Sequence, residues 1–516
     1  MLINPNSKKS TGSNIFKGTL IILMVSILTK FVSFIAEAVM AYYVGTTYKS
    51  DAYHMIAGVH TVIYPMLSIG IWKVFLPLYK SHIAQNEIET ADALANKSIT
   101  FFTLISTVIV GLLIVFAPLV VTLVAPGFEG ETKELTAKLV RISAPMYIFI
   151  IAAGVYASML QCRNKFFGSQ IRMLVSHIPT IIAAIFFYKR FGIEAMAIAL
   201  VVSAVLRLLT VLFFVDWGYR FKPDFRLKDR EFVLMCKRMP SALLGAGVTQ
   251  LNSLVDKVMA SGLPEGTISS LDYGHRLMKV FGGMISSAIN TAMYPQIVEL
   301  ISHGKKDELN SLLIRILSLY ALITFPVSLS CVLFRTEIAS AVYERGAFNA
   351  DSTKLVAEIF AFYCISLFVV AANTTLNDLF YAYGDTKTPM VLATTALLAN
   401  IVFNLILIKL MGVKGLVLST SLISMVNFVI RIVLARKYVK LKVFELLRTA
   451  IKIALCSIIA CLIPRVFFWI FPANKFIVLI ASAAAGVPVY YLLTKLLRVN
   501  EIDDLLAMLK KKLKKA

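Results

Sequence analysis

Charged residues are scarce in this chain of 516 residues, and acidic residues are the scarcer kind. Only 16% of the side chains are charged, whereas soluble domains average about 25%. The 29 acidic residues face 52 basic ones, which leaves a formal net charge of +23. No hydrophilic stretch is long enough to form a domain with a basic binding surface, so this charge does not indicate a nucleic-acid-binding protein.

Sequence motifs of enzymes are absent as well. The chain has no G-x-x-x-x-G-K-[ST] phosphate loop, no H-E-x-x-H and no carboxylate cluster with metal-ligand spacing. The six cysteines show no C-x-x-C spacing and lie mostly within apolar stretches, so we interpret them as small buried hydrophobic residues. These absences argue against an enzyme and against a structural metal site.

Hydrophobic residues, by contrast, make up 58% of the chain, and the mean hydropathy is +0.79. So much apolar surface exceeds what a globular core needs, so lipid must surround most of the chain. Apolar stretches of roughly 20 residues predict an all-α polytopic membrane protein with about 14 transmembrane helices. The predicted spans are 15–44, 52–79, 98–125, 135–161, 169–188, 192–216, 233–261, 268–300, 309–334, 354–382, 387–409, 412–435, 446–470 and 475–496.

The distribution of charge between these spans predicts the orientation. With the N-terminus inside, the cytoplasmic loops carry most of the basic residues, and the richest segment runs from Gly218 to Arg238. An outside loop carries Glu129, Glu131 and Glu134, although Lys189 and Arg190 break the pattern. The positive-inside rule therefore places both termini in the cytoplasm.

The chain also repeats itself after about 220 residues. Gly192–Ala195 falls on Gly412–Gly415, and Gln161–Asn164 falls on Tyr381–Gly384. Six spans separate each pair, which predicts parallel repeats that form two lobes around a cavity opening alternately to each side. The predicted domains are an N-lobe at 1–217, a basic cytoplasmic linker at 218–232, a C-lobe at 233–436, helices 13 and 14 at 437–498, and a basic amphipathic tail at 499–516. The tail is predicted to lie on anionic headgroups, and the alternative is a solvated charged segment.

Ionisable residues inside spans are costly and tend to mark a substrate pathway. Arg276 and Lys279 are three residues apart, so they share a helix face and suit an anionic group such as a phosphate. Lys30 and Glu37 lie about two turns apart on nearly the same face of the first span. The alternative is that each charge pairs with another and locks the bundle. Further residues of this kind are Asp51, Asp256, Lys257, Asp272 and His275.

Several segments resemble the MurJ/MviN family. They are Gln250–Leu277, Ala288–Pro295, Glu344–Phe348, Phe34–Glu37 and Ser50–Tyr53. The resemblance covers most of the chain. It implies the fold of the multidrug/oligosaccharidyl-lipid/polysaccharide exporter superfamily, a location in the bacterial plasma (inner) membrane, and flipping of lipid II, the undecaprenyl-diphosphate-linked peptidoglycan precursor.

The resemblance also implies roles for individual residues. Arg276 matches a cavity arginine expected to contact the diphosphate, Asp51 matches an acidic residue at the start of helix 2, and Lys30 replaces an arginine. Two further arginines of the family fall on Ala36 and near Tyr64, so the positive charge of the cavity is reduced. The predicted substrate-binding residues are Arg276, Lys30, Asp51, Lys279 and Glu37.

Some relatives hold a sodium ion between helices 7, 11 and 12, and the matching residues here are Asp256, Asn400, Asn404 and Thr420. Four oxygens that include one carboxylate could hold a hard cation. The alternative is a set of interhelical hydrogen bonds. Because no nucleotide site is present, a sodium or proton gradient, the membrane potential or the substrate gradient must drive transport.

Three alternatives to lipid II flipping stay open at this point. The cargo could be another lipid-linked oligosaccharide, such as an O-antigen, capsule or teichoic unit, or a drug exported in exchange for a cation. A third reading is a membrane scaffold for cell-wall synthesis enzymes. The expected partners are the lipid-linked saccharide, membrane lipids and, in the third reading, those enzymes, with no nucleic acid and no cofactor besides the coupling cation.

Overall fold

A computed structural model describes residues 5–215, 218–226, 229–471, 473–499 and 501–503. All regular structure in these ranges is helical, as the composition predicted. Two π-helical turns, Ile71–Phe75 and Ala183–Phe187, interrupt the second and fifth predicted spans. The α-helices are α1 Pro5–Val44, α2 Tyr48–Gly70, α3 Leu76–Ala84, α4 Ile88–Val115, α5 Ala117–Val124, α6 Gly130–Ser143, α7 Met146–Cys162, α8 Phe166–Val175, α9 Ile178–Ile182, α10 Tyr188–Phe191, α11 Glu194–Phe214, α12 Arg230–Ala260, α13 Thr267–Ser302, α14 Lys306–Leu333, α15 Arg335–Tyr343, α16 Ala350–Ile365, α17 Leu367–Ala382, α18 Lys387–Met411, α19 Val413–Ala435, α20 Val443–Ile470 and α21 Lys475–Leu496.

The helices confirm a multi-pass membrane protein. Within the described ranges, nine helices are long and apolar enough to cross a bilayer, or eleven if each of two bent pairs counts as one span. Three further long helices, α2, α12 and α13, are more polar because they carry many of the ionisable residues singled out above. If these three also cross the bilayer, the chain has the predicted fourteen spans; that number stays a prediction.

The two bent spans have different local causes. The 41° bend between α6 and α7 lies at Pro145, whose ring cannot donate a backbone hydrogen bond to the preceding turn. The 43° bend between α16 and α17 lies at Ser366. The Ser366 hydroxyl donates to the carbonyl oxygen of Tyr363 at 2.9 Å, a local bond that competes with the helical ladder.

Residues in the left-handed region of backbone space repeat along the chain. Eleven of the described residues have a positive φ of this kind, and ten of them form five pairs separated by 216 to 221 positions. Each pair ends or begins equivalent helices in the two halves. The eleventh, Arg498, follows α21, beyond the predicted repeat. The pairs are Gly45 and Gly266, Asn86 and Gly304, Gly130 and Gly346, Asn164 and Gly384, and Gly192 and Gly412. The repeat read from the sequence is therefore present in the backbone.

The chain divides into two compact units. Unit 1 comprises residues 1–268 with 346–348. Inside it, α11 packs on α7 and α8, α4 packs on α7, and α12 packs on α2. Small residues permit these close approaches: a Cβ added to Gly168 of α8 would lie 2.6 Å from Cβ of Phe214 at the end of α11.

Unit 2 comprises residues 269–345 and 349–516. In this unit α14 packs on α16, α17 and α20, while α18 and α19 form an antiparallel pair. Its core is closed by fully buried side chains such as Leu313, Tyr320 and Phe380. The two predicted additional helices, α20 and α21, pack against each other, and α20 lies on α14.

The boundary between the compact units differs from the one predicted for the lobes. The repeat groups the seventh span with the second half, whereas compactness groups α12 with unit 1. The reason is local, because α12 lies along α2 with Lys257 reaching across it. The lobe boundaries stay a prediction, and the predicted amphipathic tail lies outside the described residues from position 504 onward.

Candidate functional site

The charged stripe on α13 consists of Asp272, Arg276 and Lys279. The spacings of four and three residues place all three on one face of the helix. Arg276 and Lys279 are exposed, and Asp272 is partly buried. The opposite face, with Tyr273 and Leu277, is buried.

Neighbouring contacts within unit 2 fix the rotation of α13 and so the direction of this charged stripe. The ring of Tyr273 packs on that of Tyr343 with centroids 5.1 Å apart. The His275 ring stacks on Tyr363 at 4.9 Å. A Cβ on Gly274 would lie 2.6 Å from Cγ2 of Ile359, so α13 meets α16 at close range there. Turning the charged stripe inward would break all three contacts.

Lys30 on α1 is exposed but does not belong to the apolar exposed side of that helix. The apolar stripe runs through Met24, Ile27, Leu28, Phe31 and Ile35. At 100° per residue, Lys30 lies about 120° from the centre of this stripe and within about 20° of Glu37. Glu37 is buried, with 6% of its surface exposed. Lys30 forms no salt bridge with any described residue, so the alternative in which Lys30 pairs with Glu37 does not occur in this structure, and the role of both residues in substrate binding stays a prediction.

Asp51 lies in the first turn of α2, where Thr47 caps the helix by accepting a hydrogen bond from the Ser50 N–H at 3.4 Å. Its side chain is only 3% exposed. Oδ2 of Asp51 accepts a hydrogen bond from the N–H of Gly266 at 2.7 Å. This bond ties the start of α2 to the turn that precedes α13.

Lys257 is a buried cation that lies across α2. Its Nζ donates to the carbonyl oxygen of His54 at 2.8 Å. Gly58 makes room for the lysine stem, because a Cβ there would lie 2.9 Å from Cδ of Lys257. Asp256, the next residue and a predicted cation ligand, is also buried.

Three of the four predicted cation ligands lie together in unit 2. Nδ2 of Asn400 lies 3.2 Å from Oγ1 of Thr420 and 3.4 Å from Oγ of Ser419, which the sequence analysis did not name. Nδ2 of Asn404 donates to Oδ1 of Asn400 at 3.0 Å. The fourth, Asp256, belongs to unit 1, so a four-ligand site stays a prediction. No group of three or more His, Cys, Asp or Glu side chains with metal-binding geometry occurs among the described residues.

The sequence analysis missed two arginines inside unit 1, Arg172 on α8 and Arg207 on α11. Tyr64 of α2, where the family resemblance placed a missing arginine, interacts with both of them. Both arginines could have been identified from the sequence, because they lie within apolar spans and meet the criterion that identified Arg276.

Comparisons with known proteins assign most of the chain to the family that the sequence resembles. The model of the lipid II flippase MurJ family matches residues 40–482. The chain belongs to this family. Arg276, Lys279 and Asp51 lie within the matched range, whereas Lys30 and Glu37 precede it.

Individual MurJ relatives match over three quarters of their length or more. A probable lipid II flippase MurJ of Rickettsia prowazekii is 23% identical over 95% of this chain and 99% of its own length. A probable lipid II flippase MurJ of Rhizobium tropici is 26% identical over 77% of this chain and 76% of its own.

Solved structures share the fold. The structure of a lipid II flippase MurJ in an inward closed conformation superposes with a TM-score of 0.77 at 24% identity, covering 94% of this chain and all of its own. An inward-facing multidrug resistance MATE family transporter of the MOP superfamily has a TM-score of 0.66 at 15% identity, covering 83% of this chain and 99% of its own.

Proposed function

We propose that this chain flips lipid II, the undecaprenyl-diphosphate-linked peptidoglycan precursor, from the cytoplasmic to the outer leaflet by alternating access. Membership of the MurJ family carries the proposal, since its curated relatives are named for this activity. The chain is a transporter in this proposal, located in the bacterial inner membrane with both termini in the cytoplasm. The basic loops between the predicted spans support that orientation.

The charged stripe on α13 supports an anionic cargo. Two cations on the exposed face of α13 are costly against lipid and favourable against a diphosphate. The guanidinium of Arg276 presents its N–H groups in a planar fork that matches two phosphate oxygens, and Lys279 adds a point charge one turn away. Lys30, turned away from the apolar stripe of α1, is a third cation suited to a polar environment.

Complementation of a lipid II flippase depletion strain tests the proposal. We expect the parent chain to restore growth and Arg276→Ala to fail at equal membrane abundance. Arg276→Lys should restore growth only in part, because an ammonium group cannot bind two oxygens as a fork. Lys305→Ala is the matched control, since Lys305 is an exposed loop cation paired with Glu308 at 2.8 Å.

Failure of the parent chain to complement would redirect the assignment to another lipid-linked oligosaccharide or to drug export. Growth of the Arg276→Ala strain at the parental rate would remove Arg276 from the substrate site. A scaffold role predicts that every stably inserted variant of the charged stripe still complements.

We propose further that transport is coupled to a sodium ion or a proton, with Asp256, Asn400, Asn404 and Thr420 as the candidate residues that the family resemblance implies. The cluster of amide and hydroxyl oxygens in unit 2 and the buried carboxylate of Asp256 in unit 1 support it. Sodium should raise the melting temperature of the purified protein more than potassium does, and Asp256→Asn should abolish the difference. Asp307→Asn, at an exposed acid in the first turn of α14, serves as the control. An equal sodium response in Asp256→Asn would assign this carboxylate a structural role.

A further inference from the structure

Unit 1 contains two arginines in its interior. Arg172 on α8 is 7% exposed, and Arg207 on α11 is partly exposed. Neither forms a salt bridge with any described residue. Buried cations in a bundle are normally paired with an anion, so this pair is incomplete.

The two side chains converge near the C-terminal end of α8. Nη2 of Arg207 donates to Oγ of Ser176 at 2.9 Å, and Ser176 caps the helix that carries Arg172 one turn earlier. Nε of Arg172 donates to the carbonyl oxygen of Ser169 at 3.0 Å. Tyr64 of α2 interacts electrostatically with both arginines.

Donors remain after these contacts are made. Nη1 of Arg172, Nε of Arg207 and Oγ of Ser203 are buried and have no hydrogen-bond partner in the described part of the chain. Ser203 lies one turn before Arg207 on the same face of α11. Carbonyls at the end of α8 offer roughly half an elementary charge, which does not balance two guanidinium groups.

The second half of the repeat lacks these cations. The register of 220 residues, set by the pairs Asn164 and Gly384 and Gly192 and Gly412, assigns Leu392 and Asn427 of unit 2 to the positions of Arg172 and Arg207. Unit 2 thus has two uncharged side chains at these positions, on the continuous helix α18 and on α19. The arginine pair is therefore a feature of unit 1 alone within the repeat.

Both arginines lie within two turns of one end of their helices. Arg172 is six residues from the start of α8 and Arg207 is seven residues from the end of α11. At 1.5 Å per residue, both lie about 10 Å from helix ends that meet at Gly168 and Phe214. The predicted orientation puts these ends on the cytoplasmic side.

We propose that Arg172, Arg207 and Tyr64 form a binding site for a phosphate group inside unit 1, built from residues other than those of the charged stripe of α13. Guanidinium forks and hydroxyl donors from three helices match a tetrahedral oxyanion with several oxygens. The phosphate can come from a free inorganic ion or from an undecaprenyl phosphate-type lipid. The inference does not depend on which glycolipid the chain transports.

The test is a thermal-shift titration of the purified full-length protein at constant ionic strength, with inorganic phosphate in one arm and undecaprenyl phosphate in the other. Each binds the folded state if it raises the melting temperature with saturation. The variant Arg172→Leu/Arg207→Asn carries the side chains that unit 2 has at the equivalent positions. Arg431→Gln is the control, because Arg431 is a buried arginine of unit 2 whose Nε already donates to Asn377 at 3.0 Å.

We expect the parent and Arg431→Gln to respond to at least one arm, and the double variant to bind that probe at least about tenfold more weakly. A response to inorganic phosphate identifies a site for the free ion, and a response to undecaprenyl phosphate alone identifies a lipid site. An equal response of the double variant, or none by the parent in either arm, overturns the proposal. If the double variant cannot be purified, equilibrium dialysis of the parent with radiolabelled phosphate, and with undecaprenyl phosphate in mixed micelles, decides. Absence of saturable binding of both refutes the site.

Discussion

Replacement of Asp51 by alanine should destabilise unit 1, and the contribution can be worked out from its contacts. The carboxylate is buried and accepts one hydrogen bond from the Gly266 N–H at 2.7 Å. A hydrogen bond to a charged group contributes about 1.5–3 kcal/mol, and a buried N–H left without a partner adds about 1–3 kcal/mol. Because the two effects overlap, we expect Asp51→Ala to cost about 2–4 kcal/mol.

The assay is a thermal melt of the purified protein together with complementation. At this cost Asp51→Ala should melt several degrees below the parent. Asp51→Asn should lose less, since its amide oxygen can still accept from Gly266. Glu129→Ala, at an exposed acid of unit 1, should melt like the parent.

Parental melting of Asp51→Ala would refute the reasoning that this carboxylate holds the turn before α13. A second outcome separates structure from transport. If Asp51→Asn melts like the parent but does not complement, the charge of Asp51 acts on the substrate, as the family resemblance implied. If both properties fall together, its role is structural.

Two further predictions follow from Lys30 and Asp385. A cysteine in place of Lys30 should react with a membrane-impermeant thiol reagent, and Lys30→Gln should weaken complementation. Absence of labelling from both sides of the membrane would contradict a polar environment for this side chain. Hydrogen bonds from the Thr388 hydroxyl and N–H lower the pKa of Asp385 to about 2. The ionised carboxylate therefore stabilises the loop before α18 at any pH above the unfolded pKa near 4, and this stabilisation is lost as the pH falls toward 2. Asp385→Ala should therefore lower the melting temperature at pH 7 but not near pH 2, and a difference that does not change with pH would contradict this assignment.

Much of the fold could be predicted because lipid imposes a simple rule on sequence. A spanning segment must satisfy its backbone internally and must be apolar over about 20 residues, so its position is visible in composition alone. Each of the fourteen predicted spans overlaps at least one observed helix. The breaks were not predicted, because a π-turn such as Ile71–Phe75 or a bend at Ser366 depends on hydrogen bonds that leave no mark in hydropathy.

The boundary of the compact units shows a second limit. Repeat symmetry reports how the halves arose and which helices are equivalent, whereas compactness reports which side chains pack. Lys257 reaches over Gly58 to the His54 carbonyl, a contact between residues some 200 positions apart that no periodicity predicts. The repeat therefore groups α12 with the second half of the chain, whereas the packing groups it with unit 1.

Ionisable residues in spans satisfied a single criterion in the sequence but have three different environments in the structure. Arg276 and Lys279 lie on an exposed face, as a substrate site requires. Asp51 and Lys257 are buried and bound to backbone groups, so the bundle itself uses their charge. The arginines of α8 and α11 belong to neither class, since they lie inside unit 1 and form no salt bridge with any described residue. Helical periodicity places a charge on a face, but it cannot say whether a carbonyl, an N–H or a bound anion lies opposite. The phosphate proposed for this arginine pair would supply the counter-charge that the described side chains do not.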